Sequence, residues 1–208
     1  MATTRASFRG IYSIKPWWQR RLAGMEDWLV RHRVHPNLVT LAGVGCAGLL
    51  GAALAASARW PWLALAVAPL AVGRLAANAL DGLVARRTGL ASAFGELFNE
   101  FGDRVADTAV FVGLALNSAV FAPLAWGALV LTLLSSYLGI ASKAVGSNRI
   151  FGGLLAKVDR MIYLAVFSPV ALLAGPQAWN WLLLAFIPLL LVTIIQRYRW
   201  SYRALKQQ

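Results

Sequence analysis

Acidic side chains are scarce in this sequence and unevenly placed. The 208 residues hold eight Asp and Glu, and five of them, Asp81, Glu96, Glu100, Asp103 and Asp107, fall in one short stretch. On a helix turning about 100° per residue, Glu96, Asn99, Glu100, Asp103 and Asp107 share one arc roughly 100° wide. Arg74, Asn78, Asp81, Gly82 and Ala85 share a second face by the same count. Two such helices facing one another bring oxygen ligands together from both sides. Hard divalent cations such as Mg²⁺ or Mn²⁺ take oxygen ligands and leave room for substrate phosphates. A pyrophosphate-containing substrate therefore suits the place. A plainer alternative is that Arg74, Arg86 or Arg104 neutralises the acids in buried pairs.

The elements that must carry these residues are apolar. The chain is 59% hydrophobic and 13% charged, beyond the balance of a soluble domain. The apolar stretches are continuous rather than alternating, which excludes a closed β-barrel. Six segments are long enough to cross a hydrocarbon core about 30 Å thick. They run over residues 37–58, 61–85, 92–117, 121–145, 158–174 and 177–198, punctuated by Arg59-Trp60-Pro61, Thr88-Gly89, Ala122-Pro123, Gly146-Ser147-Asn148 and Gly175-Pro176. Ahead of them Ile14, Trp17, Trp18, Leu22, Met25, Trp28 and Leu29 recur at helical spacing, with Lys15, Arg20 and Arg21 between. This pattern predicts an amphipathic helix lying on the membrane surface. The expected fold is all-α and polytopic: six transmembrane helices preceded by one interfacial helix. It divides into an N-terminal segment over 1–34, a six-helix transmembrane domain over 35–200 and a tail over 201–208.

Charge sets the orientation. Ionisable groups at membrane depth are costly and mark function by default, whereas surface Lys and Arg gather on the cytoplasmic side. The net charge of +12 has this explanation, and no nucleic-acid-binding motif accompanies it. Basic residues crowd before the first segment, at Arg86 and Arg87, around Lys143, Arg149, Lys157 and Arg160, and after the sixth. Both termini are thereby expected in the cytoplasm, with the protein integral to the inner membrane. The lone Cys46 sits in an apolar run and carries no disulfide or metal-ligand pattern.

Asn78-Ala-Leu-Asp81-Gly82-Leu-Val-Ala85-Arg86, eight residues, then Gly95-Glu-Leu-Phe-Asn99-Glu-Phe-Gly-Asp103 resembles the signature of the CDP-alcohol phosphotransferases, D-x2-D-G-x2-A-R-x8-G-x3-D-x3-D. Its first and third aspartates are Asn78 and Asn99 here. Pro36-Asn37-Leu38-Val39-Thr40 is similar to the family's P-N-x-x-T element. Lys157-Val158-Asp159-Arg160 looks like its G-K-x-D-R element, without the glycine. The resemblance implies a transferase of phospholipid biosynthesis. It would move a phosphatidyl or other phosphoryl-alcohol group from a CDP-linked lipid donor to a small alcohol or phosphorylated alcohol, releasing CMP. It implies one or two Mg²⁺ or Mn²⁺ ions held at Asn78, Asp81, Asn99 and Asp103, with Asp103 also the general base. Asn37, Thr40, Gly82, Arg86 and Ser92 would contact the donor nucleotide, and a homodimer is the implied assembly. An amide oxygen can ligate a hard cation but brings no charge. At least one of Glu96, Glu100 and Asp107 is therefore expected to restore it. Lys143, Arg149, Lys157 and Arg160 are expected to bind an anionic acceptor.

Two other functions compete. The asparagines also suit a catalytically silent relative that binds CDP-lipid or a partner protein. A transporter is disfavoured, because the acids lie toward the cytoplasmic ends rather than midway along paired broken helices.

Overall fold

A computed structural model describes residues 15–147 and 150–206. Seven α-helices account for most of them, and the described residues contain no strand. In chain order they are α1 (Lys15–Arg31), α2 (Pro36–Ala56), α3 (Ala64–Thr88), α4 (Ala93–Ala115), α5 (Ala122–Ala144), α6 (Lys157–Ala174) and α7 (Trp179–Leu205). Single 3₁₀ turns at Pro61–Leu63 and Pro176–Ala178 lead into α3 and α7, each opened by a proline whose missing N–H costs nothing there.

The helix ends follow from local chemistry. The Asn37 N–H donates to His35 Nδ1 (3.2 Å), so His35 caps α2. Ser92 caps α4, its Oγ accepting from the Gly95 N–H at 3.1 Å. Gly89 closes α3 in the left-handed region, at φ 71°. The expected last segment ended at Tyr198, but α7 continues to Leu205. Its last turns are basic, which favours the negative end of the helix dipole. Ser201 Oγ also donates back to the Arg197 carbonyl at 2.9 Å.

Helix α2 is the centre of one half of the bundle, packing on both α3 and α4. A Cβ at Gly51 would fall 2.2 Å from the Ala109 carbonyl oxygen, and one at Gly113 would fall 2.1 Å from the Gly51 carbonyl oxygen. Two glycines facing each other thus bring the α2 and α4 backbones into contact, as small residues do at helix interfaces in lipid. Helix α6 packs on α3, α5 on both α4 and α7, and α1 on α3. The main core joins Leu50, Leu54, Val110, Phe111, Leu164 and Trp179.

Four helical stretches are long and apolar enough to cross a membrane: Pro36–Ala56, Pro61–Thr88, Ala122–Ala144 and Pro176–Leu205. Helices α4 and α6 carry most of the remaining buried charge, Asp103, Asp107, Asp159 and Arg160. Helix α1 turns Leu22 inward to Val39, Ala77 and Leu80 and leaves Met25 and Trp28 exposed. Ile14 and the side chains of Trp17 and Trp18, which entered the interfacial-helix expectation, lie outside the described residues.

Candidate active site

The signature residues converge where the start of α2, the end of α3 and the starts of α4 and α6 meet. At 1.5 Å per residue, Asp81 lies about 10 Å from the end of α3 and Asp103 about 15 Å from the start of α4. Close packing holds these ends together. A Cβ at Gly102 would meet Val44 and Thr40 of α2 at 3.2 and 3.3 Å. The Asn37 side chain lies beside Gly95, 3.7 Å from where its Cβ would be.

Asp81 is buried, accepting from Thr40 Oγ1 (2.9 Å) through Oδ2 and from the Gly82 N–H (2.6 Å) through Oδ1. It lies within electrostatic reach of Asp103 and Lys157. Asp103 is also buried, and Arg74 Nη2 donates to its Oδ1 at 2.5 Å. The Lys157 ammonium pairs with that same oxygen and also donates to Asn78 Oδ1. Space for the Arg74 guanidinium comes from Gly43, where a Cβ would stand 3.0 Å from Nη1. Asn99 Oδ1 is buried with no hydrogen-bond partner. A buried polar atom left so is costly unless something unseen satisfies it.

The other acids have partners of their own. Asp107 Oδ2 accepts from Arg160 Nη2 (3.0 Å) and lies 3.8 Å from Arg104 Nη1. Glu100 accepts from Arg104 at 3.2 Å, and Glu96 pairs with Lys143. Among the described residues no three His, Cys, Asp or Glu side chains gather as a metal-holding group. Glu96, Glu100 and Asp107 are thus engaged by cations rather than drawn in beside Asp81 and Asp103. The basic residues expected at an acceptor pocket are likewise held separately. Lys143 is on Glu96, Lys157 on Asp103 and Asn78, and Arg160 on Asp107. Arg149 lies outside the described residues.

One positioning residue belongs to no motif that would single it out in the sequence. Arg197 of α7 is buried and grips the α5–α6 connection. Its Nε donates to the Gly152 carbonyl (2.8 Å), Nη2 to that of Phe151 (2.9 Å) and Nη1 to that of Ser135 (2.6 Å). Thr193 Oγ1 accepts from the Leu155 N–H at 2.8 Å, and Asp159 Oδ2 from the Ala156 N–H at 2.8 Å. Together these bonds deliver Lys157 to the site. A proximity of this kind, between residues some forty positions apart, leaves no local trace in sequence.

Residues 33–195 match the family model described as CDP-alcohol phosphatidyltransferase, and the chain belongs to that family. Its several apolar helices, and its likeness to a relative named an inner membrane protein, make it a multi-pass membrane protein. That relative, the Inner membrane protein YnbA of Escherichia coli (strain K12), is 31% identical over 91% of this chain and 94% of its own length. A phosphatidylinositol phosphate synthase of Cutibacterium acnes is 27% identical, over 86% of this chain and 91% of that one. Among solved structures, the Mycobacterium tuberculosis phosphatidylinositol phosphate synthase with CDP-DAG bound matches with a TM-score of 0.71. It is 23% identical, and the match covers 88% of this chain and 94% of that one. The same enzyme in complex with manganese and citrate matches at 0.70, with 23% identity over 86% and 88% of the two chains. At that identity the likeness bears on the fold.

Proposed function

We propose that this chain transfers a phosphatidyl group from CDP-diacylglycerol to a hydrophilic alcohol at the cytoplasmic face of the inner membrane, releasing CMP. The single observation that carries the reading is the convergence of Asp81, Asp103, Asn78 and Arg74 from two helices onto one buried point, within a chain of this family. The CDP-lipid in the neighbouring structure supports the donor. All six long helices, α2 to α7, span the bilayer in this reading, both termini are cytoplasmic, and α1 lies on the surface. Residues 35–200 form the catalytic domain.

The oxygens of Asn78, Asp81, Asn99 and Asp103 fit a hard divalent ion, Mg²⁺ or Mn²⁺. The buried, unpartnered Asn99 Oδ1 is the observation that supports the fit. Bound there, an ion supplies positive charge to the donor diphosphate and to departing CMP. The protein's own groups do the rest. Thr40 orients Asp81 through its hydroxyl. Gly82 keeps the α3 surface low beside Arg86, whose guanidinium stands 3.2 Å from where a Cβ would be, so a nucleotide phosphate can approach that cation. Asn37 and Ser92 border the same end. Arg74 and Lys157 both take Asp103 Oδ1, which leaves Oδ2 to accept the acceptor hydroxyl's proton. The acceptor oxygen then bonds to the lipid-bearing phosphorus as its bond to the CMP oxygen breaks. Lys143, Arg149, Lys157 and Arg160 supply cationic charge on the acceptor side.

Comparing the lipids of membranes with and without the chain tests this reading. A new phospholipid class should accompany expression and identify the acceptor by its headgroup mass. Unchanged lipids, with CDP-diacylglycerol still bound tightly by the purified chain, would instead favour a silent relative.

A further inference from the structure

The Asn78 carbonyl oxygen and the Asp103 carboxylate are joined by an ammonium. Lys157 Nζ bonds to both, and its side chain is 22% exposed. Asp81 and Asp103 bring two negative charges to this point, and Arg74 and Lys157 bring two positive ones. Side chains therefore offset these two carboxylates before any ion binds, which disfavours a second divalent charge. Buried charge is tolerated only when it is compensated in this way. A carboxylate at position 78 would add a third negative charge, whereas the amide gives Lys157 a neutral acceptor. Lys157 is also fixed in place. It opens α6, and the connection before it is tied to α7 through Arg197 and Thr193.

From these contacts we propose that the Lys157 ammonium is a built-in cation of the signature site, spanning Asn78 and Asp103, so that the chain holds one divalent ion rather than two. Asp81 and Asn99, whose Oδ1 is buried and unpartnered, would be the principal ligands of that single ion. Lysine suits the other side, being a compact point charge on a flexible stem. This inference deepens the transferase reading and rests on it for the placing of the donor diphosphate.

Mn²⁺ binding to the purified full chain, followed by the loss of the free-ion paramagnetic signal, tests it without any turnover. Wild type should bind one Mn²⁺ per chain, and so should Lys157→Arg, which keeps a cation at the same position. The double variant Asn78→Asp/Lys157→Gln should bind two. Lys157→Gln alone should bind Mn²⁺ at least tenfold more tightly than wild type, because a competing charge is gone. Two ions per wild-type chain, or none, would overturn the proposal even if no variant folds. An unchanged affinity in folded Lys157→Gln would overturn it as well. CMP release by wild type is scored separately, so failure of the transferase reading shows there and not in the ion count.

Discussion

Asp107 and Arg160 are buried against each other, at 3% and 1% exposure, with their charged atoms 3.0 Å apart. Removing Asp107 leaves the buried Arg160 guanidinium without its counter-charge, which costs about 3–5 kcal/mol. Asp107→Ala is therefore expected to lower the thermal midpoint in detergent sharply. Asp107→Leu/Arg160→Met, which removes both charges, should recover much of the loss. Equal destabilisation in the single and double variants would show that the pair is not what holds these helices. At this scale the sequence showed which acids cluster and which positions depart from the family pattern. It did not show their partners. Arg74 and Asp103 could be paired in outline, since both lie on the expected facing surfaces. The bonds from Lys157 to Asn78 and from Arg160 to Asp107 join positions more than fifty residues apart, and periodicity carries no information about them.

At the scale of the element, the α2–α4 contact depends on the absence of two side chains. Gly113→Val should sharply reduce the yield of folded, monodisperse protein, because its Cβ would meet the Gly51 backbone at 2.1 Å, and backbone cannot step aside. Gly48→Ala on the same α2 helix faces open space and should leave the yield unchanged. The α5–α6 connection depends on one side chain in the same way. Arg197→Ala should speed proteolytic cleavage between residues 145 and 156 and reduce turnover tenfold or more by loosening Lys157. Arg197→Lys should restore little of either, because an ammonium cannot reach three carbonyls in a fixed fork. Helix existence was legible in the continuous apolar runs, and most ends agreed to within a few residues. The end of α7 was not, because a basic amphipathic turn reads as tail when hydropathy alone is followed.

At the scale of the whole molecule, the sidedness rests on where the basic residues fall. In the proposed orientation the α5–α6 connection and the helix ends near Asp81 and Asp103 face the cytoplasm, and the α4–α5 turn faces the opposite side. Cysteines introduced in a Cys46→Ser background test this. Phe121→Cys, exposed at the start of α5, should react with a membrane-impermeant thiol reagent in spheroplasts. Ala144→Cys, exposed at its end, should react only after permeabilisation. The reverse pattern would turn the molecule over and put the site out of reach of cytoplasmic nucleotide. Many large apolar side chains point outward from the bundle, among them Phe94, Leu97 and Phe101 on α4 and Val166 and Leu173 on α6. That is the surface expected of helices whose surroundings are lipid.

The central claim is transfer itself. Purified chain reconstituted with CDP-diacylglycerol, Mg²⁺ or Mn²⁺ and the acceptor named by the lipid comparison should release one CMP for each new lipid formed. Asp103→Asn should lose that activity by a factor of a hundred or more while staying folded. CMP release that survives in Asp103→Asn, or none at all from the wild-type chain with any acceptor, would contradict the account.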